Sequence, residues 1–95
     1  MNNHKEPLFP LGQTVSTIGA LEALAEAGQA PEQFLQRHQM GDWGDMVEAD
    51  KEQNDLAVQE GLRTFSAYKL ATGVEIWVIT EWNRSATTIL LPSEY

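Results

Sequence analysis

The stretch that most constrains the fold is residues 72–92, the part of the chain richest in β-branched and aromatic side chains. Successive strand residues point to opposite faces of a sheet. One face of the predicted strand carries Val74, Ile76, Val78 and Thr80, and the other carries Glu75, Trp77, Ile79 and Glu81. Because both faces hold large apolar residues, the pattern favours a central strand covered on both sides.

Two more strands are predicted beside this one. Residues 63–70 suit a first strand, and the Ala-Thr-Gly sequence at 71–73 turns the chain back. A turn at residues 82–85 then leads into a last strand at 86–91. The C-terminal half is therefore predicted to be an antiparallel meander of three strands.

Three short helices are predicted ahead of the strands, at residues 18–27, 31–39 and 47–60. Ser16 and Thr17 offer a hydroxyl cap to the first helix, and Pro31 is a favoured first-turn residue for the second. The predicted inward residues are Leu21, Leu24 and Ala25 in the first helix and Phe34, Leu35 and His38 in the second. Asp45 and Glu48 stand at the N-cap and N3 spacing of a capping box for the third. In the third helix the predicted buried stripe is Ala49, Gln53, Leu56, Ala57 and Val58.

Together these elements predict one α+β domain over residues 1–95, with the helices on one face of the sheet. Residues 1–15 contain Pro7 and Pro10, which exclude a regular helix and indicate an extended N-terminal arm. The second face of the sheet needs a cover. We expect this arm to supply it through Leu8, Phe9 and Leu11, and a second subunit is the alternative, so the chain is expected to be a monomer or a homodimer.

Charge restricts the partners that the chain can bind. The formal net charge of −8 disfavours direct binding to nucleic acid, which requires lysine and arginine against phosphates, and favours a protein partner with a basic surface. The chain has no cysteine, and its N-terminus lacks the pattern of a secretory signal. We expect a cytoplasmic protein without membrane segments, and the sequence predicts no cofactor.

The acidic residues are concentrated in one segment. Residues 42–60 hold seven acidic residues against one basic residue, Lys51, which leaves −6 of the total charge there. Such a surface either binds a partner or only keeps a small domain in solution. The predicted partner-binding residues are Asp42, Asp45, Glu48, Asp50, Glu52 and Asp55.

Two other polar clusters are candidate functional sites. His38, Asp42 and Asp45, with Asp50 close behind, are residue types that ligate divalent metals, but turn and cap hydrogen bonds account for them as well, and no metal site is predicted. Glu81, Asn83 and Arg84 lie on the turn before the last strand, where Arg84 could hold an anionic group and Glu81 could act as a base. The alternative is a structural turn closed by an Arg–Glu pair. No catalytic residue is assigned, since no triad or phosphate-binding loop can be assembled.

Several segments together resemble a known group of proteins. They are Phe9-Pro-Leu-Gly12, Leu21-Glu-Ala-Leu24, Gly41-Asp-Trp-Gly-Asp45, Ser66-Ala-Tyr68, Ile76-Trp-Val-Ile-Thr-Glu81 and the run from Arg84 to Pro92 with Glu94-Tyr95. Over nearly the whole chain the sequence resembles small uncharacterised proteins encoded on bacterial plasmids and integrative elements. The resemblance implies an accessory role in anti-defence, plasmid maintenance or transfer, and it supplies no catalytic residues. Independently of it, the carboxylates of the acidic helix could mimic nucleic acid toward a DNA- or RNA-binding protein. The order of helices and strands also resembles ribonuclease toxins of toxin–antitoxin pairs, but those are basic proteins.

Overall fold

The computed structural model describes residues 6–95, and the first five residues of the predicted N-terminal arm lie outside it. The strands are β1 (Gln13–Ser16), β2 (Thr64–Lys69), β3 (Glu75–Thr80) and β4 (Ala86–Leu90). The helices are α1 (Ile18–Ala27), α2 (Pro31–Gln39) and α3 (Glu48–Glu60), and a short 3-10 helix follows at Pro92–Glu94. The α+β class and all three predicted helices are confirmed.

The sheet differs from the predicted meander by one strand. Its order is β1-β4-β3-β2, in which β2, β3 and β4 are antiparallel as predicted and β1 pairs with β4 in parallel. The four residues of β1 are too few to show an alternating pattern, so the sequence indicated only an extended arm there. The described part of the arm therefore ends in a strand, and the sheet is mixed.

Helices α1 and α2 cover one face of the sheet. Ala20 and Leu24 of α1 and Phe34 of α2 pack against Ile76 and Val78 of β3, all buried. Within α1 the buried residues are Ala20, Ala23 and Leu24, whereas Leu21 and Ala25, which the spacing placed inside, are exposed. The buried stripe of α1 is thus turned by about one residue from the predicted one.

The other face of the sheet is covered by the chain's own C-terminus. The Tyr95 ring lies 5.5 Å from the Trp77 ring and 6.4 Å from the Phe65 ring, and Phe65 and Trp77 contact each other at 4.9 Å. The arm packs elsewhere: buried Phe9 contacts the rings of His38 and Trp43. The prediction that the arm covers this face was therefore wrong for the described residues.

Helix α3 lies along the outer edge of β2 rather than on the face covered by α1 and α2, so the prediction that the helices share one face was wrong for α3. The Asn54 amide nitrogen donates to the Phe65 carbonyl at 2.7 Å, and the Asn54 oxygen accepts from the Phe65 amide at 2.9 Å. Next along the edge, the Ala67 amide donates to the Trp43 carbonyl and the Ala67 carbonyl accepts from the Asp45 amide. One side chain and one loop thus replace the missing neighbour strand at this edge.

Two predictions about α3 were wrong. The helix begins after Val47, which has no side-chain cap, and Asp45 is instead held through its backbone amide. Its buried residues are Asn54 and Ala57, while Leu56 is exposed. Because Asn54 binds the β2 backbone, a polar residue occupies the centre of the buried stripe, which a search for apolar spacing overlooks.

Candidate functional site: the acidic helix and its groove

Helical periodicity divides the carboxylates of α3 between two sides. Residues three and four apart lie on one helix face, so Glu48, Glu52 and Asp55 form one stripe. Asp50 lies on a different side, where it lines a groove between α3 and β2. The acidic segment therefore presents two separate surfaces on opposite sides of α3 rather than one.

Three of the six predicted partner-binding residues have interactions within the chain. Asp42 forms an ion pair with Arg37 at 2.6 Å and accepts from the Gly44 amide, and these bonds lower the pKa of the Asp42 carboxyl. Asp55 accepts a hydrogen bond from the indole nitrogen of Trp43 at 3.0 Å. Glu48 lies 3.8 Å from the Lys51 nitrogen, a loose and exposed pair. Asp42 and Asp55 thus help to hold the loop before α3.

The other three predicted partner-binding residues have no cationic partner among the described residues. Within residues 6–95, no lysine, arginine or histidine nitrogen lies within 4.0 Å of Asp45, Asp50 or Glu52, and all three residues are exposed. Glu60, at the end of α3, is exposed and without a cationic partner in the same part of the chain. These four carboxylates can pair with another molecule without losing an ion pair of the fold.

The groove beside α3 combines an apolar floor with charged rims. It has a volume of about 400 Å³. Its lining is Met46, Asp50, Gln53, Asn54, Ala57, Leu62, Arg63 and Phe65. The guanidinium of Arg63 lies 5.8 Å from the centre of the Tyr95 ring. An extended side chain with an apolar stem and a cationic end would contact both the floor and Asp50.

His38, the imidazole of the metal hypothesis, lies in the core rather than at this surface. It is completely buried. Its Nδ1 lies 2.6 Å from the Ser66 hydroxyl, and its Nε2 lies 2.8 Å from the Thr80 hydroxyl and 3.3 Å from that of Thr64. No small molecule can reach this ring in the folded protein, so it takes no part in surface chemistry.

The donors and acceptors around His38 can be assigned by starting from the Leu11 carbonyl, the last acceptor in the chain of hydrogen bonds. Thr87 donates to the Leu11 carbonyl at 2.8 Å, and this oxygen can only accept. Thr87 must then accept from Thr80, at 2.7 Å, and Thr80 in turn accepts from His38 Nε2–H. His38 Nε2 is thereby inferred to carry a proton, and in the neutral imidazole Nδ1 then accepts from Ser66.

Burial agrees with that protonation state. Desolvation, together with the positive charge of Arg84, lowers the pKa of His38 to about 3. The chain of bonds joins α2 to β2, β3, β4 and the N-terminal arm. We name the set His38, Thr64, Ser66, Thr80 and Thr87 the buried polar network.

The proposed metal ligands are not brought together. His38 faces the buried polar network, and Asp42 is held by Arg37 on the exposed side of the loop. Over residues 6–95 no three histidine, aspartate or glutamate side chains are grouped closely enough to hold a metal ion.

Arg84, in the turn before β4, binds backbone carbonyls. One terminal nitrogen donates to the Leu62 carbonyl at 2.6 Å and to that of Glu81 at 3.2 Å, and the other donates to the Ala57 carbonyl at 3.1 Å. Its guanidinium also lies 5.0 Å from the centre of the Phe9 ring. A cation beside the carbonyl groups at a helix C-terminus interacts favourably with the negative end of the helix dipole. Arg84 therefore stabilises the end of α3 and holds the arm.

The rest of this turn is locally structured. The Asn83 side chain accepts from the Ser85 amide at 3.2 Å, and Arg84 adopts a left-handed backbone conformation with φ 59°. Glu81 is exposed, and its backbone carbonyl, rather than its carboxylate, accepts from Arg84. The anion-binding role of this turn stays a prediction, and both terminal nitrogens of Arg84 are already hydrogen-bonded.

Sequence reasoning missed the hydroxyl residues of the buried polar network and the edge closure by Asn54. A signal was present for the network. Thr80 falls on the apolar face of β3, and His38 falls on the inward side of α2, so two polar residues occupy core positions that face each other. Buried polar groups require partners, which would have directed attention to the small hydroxyl residues on neighbouring strands.

Comparisons with protein-family models, with curated proteins and with solved structures found no match for this chain. The resemblance to proteins of plasmids and integrative elements stays a prediction. No helix among residues 6–95 is both long and apolar enough to cross a membrane.

Proposed function

We propose that the chain is a non-enzymatic binding protein that engages a basic surface of a protein partner through α3 and the loop before it. The observation that carries the proposal is the set of exposed carboxylates without a cationic partner, Asp45, Asp50, Glu52 and Glu60. They lie in the segment that holds −6 of the net charge of −8.

Contacts between α3 and the rest of the fold hold the acidic surface in place, which supports the proposal. Asn54 fixes the middle of α3 to the edge of β2, Arg84 binds carbonyls at its end, and Asp55 binds Trp43 beside its start. A surface on an ordered helix loses little conformational entropy on binding. The carboxylates are thus presented at fixed spacing, a condition for selecting one basic partner among many.

The groove adds a reason to favour a protein partner over free cations. Phe65, Met46 and Leu62 give it apolar area next to Asp50. Lysine and arginine side chains carry apolar stems that pack on such surfaces while the charged end pairs with a carboxylate. A bare metal ion would gain nothing from this floor.

The test compares two charge-reversed variants with the same change in net charge. Asp50→Lys/Glu52→Lys alters the proposed surface, and Glu22→Lys/Glu26→Lys alters exposed carboxylates of α1. Each tagged protein captures partners from a lysate of its natural source, and the affinity of the captured protein is measured by calorimetry at several salt concentrations. We expect the α3 variant to lose the partner and the α1 variant to retain it.

The affinity of the unaltered protein should also fall as salt rises, because pairs between exposed charges are screened. A partner that binds both variants equally would contradict the proposal. So would a partner whose affinity is insensitive to salt.

The alternative proposal is a small enzyme, a ligand-binding domain at the Glu81 to Arg84 turn, or a component of a toxin–antitoxin pair. The hydrogen bonds of Arg84 to three carbonyls leave it less free to hold an anion, so we place it second. A role in a mobile genetic element, which the sequence resemblance implies, and a cytoplasmic location, which the N-terminal sequence predicts, belong to the proposal as its setting.

A further inference from the structure

The two edges of the sheet are built differently. At the β2 edge, Asn54 and the Trp43 to Asp45 loop bind the outward backbone groups of Phe65 and Ala67. At the other edge, β1 is the last strand formed by residues 6–95. An edge strand with unbonded backbone groups is a template for another strand.

The backbone groups available on β1 can be assigned from its pairing. The Gln13 amide donates to the Ser85 carbonyl and the Thr17 amide donates to the Ile89 carbonyl, both on the β4 side. In a parallel pair, alternate residues bond to the same neighbour. The amides and carbonyls of Thr14 and Ser16 therefore face away from the sheet.

The chain segment that contains β1 is uncharged. Residues 7–21 form the longest stretch without a charged side chain, although charged residues make up 21% of the protein, and Glu32 of α2 is the one charged residue in the lining of the groove beside β1. Natural edge strands are commonly very short or are protected by lysine, proline or a bulge. Strand β1 is short, with four residues, but it has no lysine or proline. Exposed apolar side chains flank it instead: Val15, Ile18 and Leu21 are 43%, 77% and 48% exposed.

We propose that the β1 edge binds the β1 edge of a second copy of this chain, forming a two-fold symmetric dimer with one continuous eight-stranded sheet. An antiparallel pair of identical strands is self-complementary, as a two-fold interface requires. With Thr14 and Ser16 facing outward, Thr14 of each copy pairs with Ser16 of the other. This register makes four hydrogen bonds and sets the two Val15 side chains opposite each other on one face.

The self-complementary register selects a second copy as the occupant, and the charge distribution permits it. Two copies of a protein with charge −8 repel each other, but the acidic helix α3 lies at the β2 edge, the far side of the sheet from β1. At about 4.8 Å between strands, the two β2 strands of the dimer are separated by roughly 34 Å. This is several times the Debye length of about 8 Å at physiological salt, so the acidic surfaces do not oppose the contact and remain open to a partner.

A shallow groove of about 260 Å³ lies beside β1 and can accommodate side chains of the second copy in this register. Thr14, Ser16 and Leu21 contribute to its lining. Residues directly opposite in an antiparallel pair lie on the same face, so Thr14 and Ser16 of the second copy would lie over this groove. The approaching strand is short and its side chains are small, which suits a shallow groove.

The experiment measures the oligomeric state of the full-length chain and two edge variants by sedimentation equilibrium. Thr14→Pro removes an outward amide, and Val15→Lys places two positive charges opposite each other, while neither changes an amide that bonds to β4. Val74→Lys is the matched control, since Val74 is 39% exposed and lies beside β3. We expect a dimer for the unaltered protein and for the control, and a dissociation constant raised at least tenfold for both edge variants, which is about 1.4 kcal/mol.

Hydrogen exchange of the Thr14 and Ser16 amides identifies the interface. They should be protected in the dimer and exchange freely in folded Val15→Lys. A monomer at every concentration would overturn the proposal, whether those amides exchange or are covered by the chain's own first residues. A dimer that persists in both edge variants, or one in which these amides stay unprotected, would overturn it as well.

Discussion

The buried polar network and the acidic surface of α3 are both built from polar side chains but differ in where their interactions are made. Around His38 every described buried side-chain nitrogen and oxygen has a hydrogen-bond partner within the chain. On α3, by contrast, Asp50 and Glu52 have no cationic partner within residues 6–95. A polar group satisfied internally contributes to the fold, whereas an exposed and unpaired one is available to another molecule. The comparison therefore separates residues that hold the fold from residues that are available for binding.

Removing the centre of the network should have the largest effect. His38→Ala leaves a cavity and takes a partner from Ser66 and Thr80, which are both completely buried. We expect the free energy of unfolding to fall by about 3–5 kcal/mol, measured by urea denaturation with tryptophan fluorescence. A loss below about 1 kcal/mol would show that the network is not a main source of stability.

Acid should weaken the network by a smaller, graded amount. Above pH 6.5 His38 is neutral in both the folded and the unfolded chain, so it contributes nothing to the pH dependence. Below that pH the unfolded chain binds a proton that the folded chain does not bind until about pH 3. Stability should then fall by about 1.4 kcal/mol per pH unit, or about 2 kcal/mol at pH 5.

The measurement is urea denaturation between pH 7.5 and pH 5. His38→Gln provides the comparison, because glutamine does not titrate and its stability should change less over the same range. Equal pH dependence in the two proteins would rule out His38 as the cause.

The contact between α3 and the sheet edge should have an intermediate effect. Asn54→Ala removes the two hydrogen bonds to Phe65, although water can reach part of this edge. We expect a loss of about 1–2 kcal/mol. The adjacent, exposed Gln53→Ala is the control, with an expected change within about 0.5 kcal/mol. If the two variants lose the same stability, Asn54 does not close the edge.

The sequence predicted the parts of this comparison that depend on local pattern. The antiparallel strands follow from the alternation around Ile76 and Val78, and α1 begins at Thr17, whose hydroxyl accepts from the Ala20 amide at 3.1 Å. The burial of His38 on the inward side of α2 was predicted as well.

What the sequence did not predict depends on residues distant in the chain. Strand β1 exists because residues 13–16 meet β4 more than seventy positions later, and the edge closure needs Asn54 beside Phe65. Nothing in the local spacing shows that Arg84 binds the Ala57 carbonyl. Composition likewise located the acidic segment, but only the fold separates Asp42 and Asp55, which are bonded within the chain, from Asp50 and Glu52, which are not.

The central claim is that the exposed carboxylates of α3 are available for binding because the fold does not need them. The variant with the smallest expected change in stability tests this claim most directly. The measurement is the free energy of unfolding of Glu52→Lys/Glu60→Lys, which avoids the first turn of α3, at low and at physiological salt, compared with the unaltered protein. Because these carboxylates have no cationic partner within the described chain and lie in a segment of charge −6, we expect stability to stay within about 0.5 kcal/mol or to rise through reduced repulsion. A loss of more than about 1 kcal/mol at both salt concentrations would show that these carboxylates hold the fold together, and the distinction between a structural core and an available binding surface would fail.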